Sequence, residues 1–309
     1  MDKEVNINNH KLKLTNLDKV YWPDEGYTKK DLLDYYEKIS KYILPYLKDR
    51  PESLNRHPNG INGQSFFQKD VGGMPPSWMK TKKVYSDSSE KDVNYLVCND
   101  KATLLYMVNL GCIEINPWFS TTKKMDNPDY TVLDLDPEEI SFDKVVEAAL
   151  EIKKVLDEIN IKGYCKTSGA TGMHIYIPLG AKYDYETSKN FAHLIAHIVN
   201  SRIPKFTSLE RSPSKRKRKV YLDYLQNNKG QTLAAPYSVR PKKGATVAAP
   251  LHWDEVKKGL SPKNFTIETM PRRLGQIGDI FKEVLKKGID IKKCIKKLES
   301  LNQEYSSFN

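Results

Sequence analysis

The sequence predicts a mixed α/β or α+β fold, and three observations carry that prediction. Strand-like and helix-like stretches alternate through the middle of the chain. The helical stretches repeat apolar residues at 3.6-residue spacing, and the others are short β-branched or aromatic runs bounded by Gly, Pro or Asn. Hydrophobic residues make up 39% of 309, enough for a packed core and too many for a disordered chain.

Taken in order, residues 1 to about 27 read as irregular, with a turn at Trp22-Pro23. A helix starts at Thr28, where Thr28-Lys29-Lys30-Asp31 resembles a capping box and Leu32, Tyr35, Tyr36, Ile39 and Ile43 form its apolar face. Residues 51–125 read as several short strands. The run Tyr130 to Pro137 is a strand. Ser141 caps a helix to about residue 160, with Val145, Val146, Ala149, Ile152 and Val155 inward. Strands at 164–167 and 173–178 bracket a glycine turn. A helix follows over 185–202, then a strand over 220–225. The chain past Asp279 reads as a lysine-rich amphipathic helix. The expected organisation is one domain: an N-terminal lobe over 1–125, a lobe with the acidic residues over 126–260, and a helical tail over 261–309.

Composition bounds the function. The net charge of +11 favours a polyanionic partner, nucleic acid before an anionic membrane, although diffuse lysine also serves as a solvated surface. No apolar run is long enough to span a membrane, and residues 1–6 hold no apolar signal segment. Cys98, Cys112, Cys165 and Cys294 are far apart and form no CxxC. A reducing cytoplasm, near the nucleoid, is therefore expected rather than a disulfide framework.

Four stretches carry chemistry. Asp134 and Asp136 lie two apart on a strand, so both carboxylates share one face while Leu133 and Leu135 take the other. Two adjacent anions call for a cation, and hard oxygen ligands favour Mg²⁺ or Mn²⁺. A turn or capping pair is the alternative. In Lys166-Thr167-Ser168-Gly169-Ala170-Thr171-Gly172-Met173-His174, two glycines three apart offer backbone N–H groups to an anion, with Ser168 and His174 beside them. That stretch also reads as an ordinary hairpin with a buried histidine. Asp223 is a carboxylate in an apolar strand, costly unless a shared cation explains it. Upstream, Lys215-Arg216-Lys217-Arg218-Lys219 is a solvated loop or a phosphate neutraliser, and Arg240 is a candidate bidentate phosphate ligand. In Ser65-Phe66-Phe67-Gln68-Lys69-Asp70, neighbouring aromatics beside a lysine suit base stacking with a phosphate contact, or core packing. His193 and His197 are four apart on a helix, but the glutamate of HExxH is missing, so they read as packing or surface residues.

These runs, with Leu14 to Val20, Arg56-His57-Pro58-Asn59-Gly60, Ala234 to Arg240 and Pro250-Leu251-His252-Trp253, resemble the polymerase domain of bacterial and archaeal ligase D, a branch of the archaeo-eukaryotic primase superfamily. The resemblance implies an RRM-like catalytic sheet with an additional N-terminal α/β lobe. It implies template-directed nucleotidyl transfer from NTP or dNTP, favouring ribonucleotides and using two Mn²⁺ or Mg²⁺ ions, in non-homologous end joining. By position, Asp134, Asp136 and Asp223 would be catalytic metal ligands. Ser168, His174, Arg240, Arg216, Gln226 and Asn116 would surround the nucleotide. Lys19, Lys29, Arg56, Phe66, Phe67 and Lys69 would meet DNA, with Lys19 and Lys29 on a 5′-phosphate across a gap. The implied partners are gapped, overhanging or broken DNA, Ku and a separate DNA ligase. The resemblance stops with the polymerase region, so a stand-alone protein or a piece of a longer ligase is expected.

Two positions depart from the family pattern. Asn116 stands where a histidine is usual, and it donates hydrogen bonds but carries no proton charge. Thr171 stands where a lysine is common, which removes a positive charge from the glycine turn. With the carboxylates intact, weaker activity or altered nucleotide selection is the expectation. A metal-dependent nuclease and a non-catalytic DNA-end-binding module are the other classes. The glycine turn separates the first from a polymerase, and tolerance of Asp134 loss separates the second.

Overall fold

The computed structural model describes residues 1–73, 75–86 and 89–307, with side chains up to residue 300. The chain divides into two compact units, each discontinuous in sequence. The first comprises Met1–Lys123, Thr232–Ala249 and Pro262–Asp279. The second comprises Lys124–Gln231, Pro250–Ser261 and the chain from Ile280 onward.

The first 27 residues are not irregular. They form two antiparallel pairs, β1 (Lys3–Ile7) with β2 (His10–Leu14), and β3 (Val20–Trp22) with β4 (Tyr27–Thr28). The first hairpin turns through Asn8 and Asn9, at φ 52° and 65°. Asparagine tolerates that left-handed region and so supplies a two-residue hairpin turn without glycine.

Helix α1 (Lys29–Leu47) begins as expected: Thr28 accepts from the Asp31 N–H while the Asp31 carboxylate accepts from the Thr28 N–H. Its buried tyrosines find backbone partners within the unit. Tyr35 donates to the Tyr237 carbonyl and Tyr36 to the Ile113 carbonyl, each at 2.7 Å. Satisfied hydroxyls allow aromatic rings to sit in a core at little cost. Strands β5 (Pro51–Arg56), β6 (Phe66–Gln68), β7 (Lys80–Ser86) and β8 (Lys91–Val97), helix α2 (Lys101–Asn109) and strand β9 (Cys112–Pro117) follow. Strand β5 is central, paired with β6, β8 and β9.

The second unit is built on strand β10 (Tyr130–Pro137), helix α3 (Phe142–Glu158), strands β11 (Tyr164–Thr167) and β12 (Met173–Pro178), helix α4 (Tyr185–Arg202), and strands β13 (Thr207–Ser208), β14 (Val220–Asp223) and β15 (Pro250–Leu251). Its six-stranded sheet runs β13-β14-β10-β12-β11-β15. Helices α3 and α4 pack on β10 and on each other. Ser141 occupies the N-cap of α3 but makes no side-chain cap bond. Strand β14 stops at Asp223 rather than at 225. A single 3₁₀ turn, Leu225–Asn227, follows, and the Asn227 amide pairs with β10 by accepting from the Val132 N–H at 2.8 Å and donating to the Val132 carbonyl at 2.7 Å.

The unit boundaries differ from contiguous lobes over 1–125 and 126–260 because distant backbone pairing decides them. The Ala235 N–H donates to the Ile115 carbonyl at 3.0 Å, and Ser238 Oγ accepts from the Ile115 N–H at 2.9 Å, so the 232–249 segment folds with β9. The chain after Ile280 folds with β12: the Ile289 N–H donates to the Pro178 carbonyl, and the Phe281 ring lies 5.3 Å from that of Tyr176. The tail contains the helix Ile291–Ser307, so it is helical as its lysine-rich amphipathic pattern suggests, but preceded by a 3₁₀ turn at Lys282–Leu285.

Candidate active site

In the second unit one row of side chains crosses four strands. Lys166 on β11 is the register partner of His174 on β12, His174 is the partner of Asp134 on β10, and Asp134 is the partner of Asp223 on β14. Directly opposed residues of an antiparallel ladder point to the same side. All four groups therefore share one face of the sheet. Asp136, two residues on from Asp134 and opposite Tyr221, shares it too. Leu133, Leu135 and Leu222 fill the other face and are fully buried.

Close polar contacts line the row. His174 Nε2 lies 3.2 Å from Asp134 Oδ1, and Lys166 Nζ lies 2.8 Å from His174 Nδ1. Asp223 Oδ1 accepts from the Leu225 N–H at 2.7 Å and from the Tyr221 hydroxyl at 3.2 Å, and Gln226 Nε2 lies 3.4 Å from Oδ2. Burial and then the Asp134 charge push the Asp223 carboxyl above its usual range, against the donors that hold it down. Burial and the Asp223 carboxylate push the Tyr221 phenol up as well, so it stays a donor.

Three hard-oxygen donors on one face, with Asp223 held back from ionising by burial and a neighbouring anion, suit a divalent cation. They do not form a finished metal shell. Among the described residues no three His, Cys, Asp or Glu side chains are gathered as one. Asp134 is turned to His174, and Asp223 to Leu225 and Tyr221.

The glycine turn packs against this row. Gly169 adopts φ 72°, and a side chain at Gly172 would collide with the Leu135 carbonyl oxygen, so only glycine fits there. Ser168 Oγ accepts from the Ala170 and Gly172 N–H groups at 3.1 and 3.0 Å. Those amides close on the hydroxyl instead of facing outward, which differs from an open anion cradle. Thr171 is exposed at the tip.

Within the Lys215–Lys219 run, Arg216 alone is buried. Its guanidinium donates to the Glu210 and Arg211 carbonyls at 3.1 and 2.7 Å and lies 4.1 Å from the centre of the Tyr221 ring. That places a cation beside the acidic row. His193 stacks on Tyr224 at 4.2 Å, and His197 is exposed.

The first unit holds the remaining candidates. Arg240 Nε lies 2.9 Å from Glu114 Oε2. Asn116 is buried, with its amide 3.4 Å from the Ser53 and Glu114 carbonyls. Phe66 and Phe67 are 46% and 60% exposed on β6, so neither is packed in the core. Arg56 lies 5.2 Å from the Phe66 ring, and Lys69 is exposed beside them.

A pocket of about 300 Å³ in the same unit is lined by Lys19, Lys29, Arg56 and Asn109, among others. Lys29 is only 3% exposed and donates to the Thr15 carbonyl at 2.6 Å and Asn109 Oδ1 at 2.9 Å. Burial, then the Lys19 charge, lowers its ammonium to about 8. It is therefore no solvated surface lysine. At the start of α1 the Lys29 and Lys30 N–H groups are taken up by the Lys19 and Leu17 carbonyls. The pocket's charge comes from side chains.

Sequence reasoning gave no role to Lys166, Glu114 or Asn109. Lys166 alone left a signal: a lysine in a strand whose neighbours are buried, eight residues before His174 across a tight turn.

The fold is α+β; the second unit carries an acidic row on its sheet, and the first unit carries a cationic pocket and exposed aromatics. The chain belongs to the family described as LigD, primase-polymerase domain, whose model matches residues 28–281. It is 38% identical over 270 residues to the bifunctional non-homologous end joining protein LigD of Bacillus subtilis, covering 87% of this chain and 43% of that protein. It is 30% identical over 273 residues to the multifunctional LigD of Mycolicibacterium smegmatis, covering 87% and 35%. The chain thus spans less than half the length of these curated relatives. The solved polymerase domain of Mycobacterium tuberculosis ligase D, in complex with DNA, superposes with a TM-score of 0.83 at 27% identity, over 90% of this chain and 99% of that one. Among the described residues no helix is long and apolar enough to cross a membrane.

Proposed function

We propose that this chain is a polymerase of DNA end joining. It adds nucleotides, ribonucleotides by preference, to primer 3′ ends at gaps and breaks bearing a 5′-phosphate. The observation that carries this reading is the in-register row of acids, which lines up Asp134 and Asp223 across neighbouring strands with Asp136 on the same face. In the reaction the primer 3′-oxygen bonds to the α-phosphorus of a nucleoside triphosphate, the α–β bridging P–O bond breaks, and pyrophosphate leaves. Asp134, Asp136 and Asp223 are the residues to hold Mn²⁺ or Mg²⁺, which would activate the attacking oxygen and neutralise the leaving one. Ser168 and His174 hold the triphosphate, with Arg216 and Gln226 beside them. In the first unit, Arg240 and Asn116 are the candidate nucleotide contacts, and Arg240 comes oriented by Glu114.

DNA is met by the first unit's own surfaces in this reading. Phe66 and Phe67 offer stacking faces to template bases, and Lys69 and Arg56 offer phosphate contacts. The pocket of Lys19, Lys29 and Arg56 takes the 5′-phosphate on the far side of a gap. Ku and a DNA ligase are the expected protein partners.

Primer extension on gapped DNA, with each NTP and dNTP in Mg²⁺ and then Mn²⁺, tests the reading. NTP incorporation dependent on a 5′-phosphate is expected. Shortening of the DNA would make the protein a nuclease, and binding without extension would make it an end-binding module.

A further inference from the structure

We infer that Lys166 is the positioning residue of the candidate active site: its ammonium holds His174 in the tautomer that keeps a ring N–H on the acidic side of the row. This deepens the polymerase reading and rests on it for its kinetic arm alone.

The argument starts from burial. Lys166 has no exposed surface, and an ammonium there is costly unless its donors are taken up. Its Nζ lies 2.8 Å from His174 Nδ1 and 5.8 Å from the centre of the Tyr176 ring, whose face attracts a cation. An ammonium can only donate. His174 Nδ1 must therefore accept, and the ring hydrogen is on Nε2. That nitrogen lies 3.2 Å from Asp134 Oδ1. Lys166 thus assigns the Nδ1 end of the imidazole, and the Nε2 end faces the acidic side of the row, as a second group commonly fixes a working histidine.

Register makes the arrangement rigid. Lys166 and Asp134 are each direct partners of His174, on the strands to either side of β12. The lysine stem emerges from the sheet and not from a loop, so it holds the ring without a mobile hinge. A neutral, similarly long side chain at 166 would fill the space and leave Nδ1 without its donor. The ring would then be free to exchange tautomers and present a lone pair where the site needs a donor.

Two measurements test this. In ¹⁵N-labelled wild-type protein, long-range proton–nitrogen correlations, assigned by the loss of signal in His174→Gln, should show His174 protonated on Nε2 and bare on Nδ1. A proton on Nδ1 overturns the inference whatever the protein catalyses. The second is a double-mutant cycle on NTP incorporation. Lys166→Met should lower kcat/KM for the nucleotide by about 10- to 100-fold, with the affinity for gapped DNA unchanged. In a His174→Gln background the same change should cost less than about 2-fold, because coupled groups lose their effect together. Equal losses in both backgrounds would mean that Lys166 acts by itself or merely supports the fold, and would overturn the inference. A wild type that incorporates no nucleotide would sink the polymerase reading and leave the tautomer result standing.

Discussion

Asp134 and Asp223 oppose each other as direct register partners on β10 and β14, and burial, with the charge of Asp134 second, raises the Asp223 carboxyl. Two carboxylates set side by side repel, and the pair costs stability unless a cation sits between them.

Loss of either carboxylate should separate chemistry from folding. Asp134→Asn and Asp223→Asn should each reduce nucleotide addition by more than about 100-fold, beyond the effect of an ordinary binding contact. Gapped-DNA affinity should stay within about 2-fold. Without DNA, Mn²⁺ should raise the melting temperature of the wild type, because a ligand of the native state alone stabilises it. It should not do so for Asp134→Asn. Extension at near wild-type rate by either variant would remove the metal assignment.

The cationic pocket predicts discrimination between DNA ends. Replacing Lys19 and Lys29 together with Met should weaken binding to gapped DNA bearing a 5′-phosphate by about 10-fold or more, and the 5′-hydroxyl version far less. Fluorescence anisotropy at fixed salt reads the difference. Equal losses on both ends would assign the lysines a general role.

Lys29 also sets a pH dependence. Its ammonium is lowered to about 8 from an ordinary 10.5, so between those values the unfolded chain binds more protons than the folded one. Stability should therefore rise with pH across that window, as a buried charge is relieved. Affinity for the 5′-phosphate should move the opposite way, falling as pH passes about 8 and the pocket loses a charge. In Lys29→Met both slopes should flatten. A phosphate preference that is flat from pH 7 to 9 in the wild type contradicts the assignment.

Gly172→Ala should destabilise the second unit by about 1–3 kcal/mol, since its methyl group has nowhere to go except into the Leu135 carbonyl. Urea unfolding measures the loss. Thr171, exposed at the same turn, should accept Lys with no change in stability.

Phe67→Ala should leave the melting temperature unchanged, because the ring is 60% exposed. It should weaken template binding by about 1–3 kcal/mol if a base stacks on it. Unchanged template affinity would return Phe67 to the ordinary surface.

Much of this was legible from short-range pattern. Period-two alternation put Asp134 and Asp136 on one face, and the capping box marked the start of α1. Register was less visible. Nothing local says that Asp223 lands opposite Asp134, or that Lys166 lands opposite His174, because ladder partners are fixed by turn geometry and packing. The N-terminal hairpin was missed because its turn is Asn8-Asn9 with no glycine. The closed hydrogen bonds around Ser168 and the buried state of Lys29 are tertiary outcomes: a sequence names the donor but not the acceptor that reaches it.

The interleaving of the two units sets an order of assembly during synthesis. When residue 123 leaves the ribosome, the first unit still lacks the segments Thr232–Ala249 and Pro262–Asp279, and the second gains the last strand of its sheet, β15, only at Pro250 and its tail only after Ile280. Neither can be completed while residues 1–279 are half made, so the nascent chain must hold exposed, unpaired strand edges until those later segments have been synthesised. For the same reason no single cut releases either unit whole.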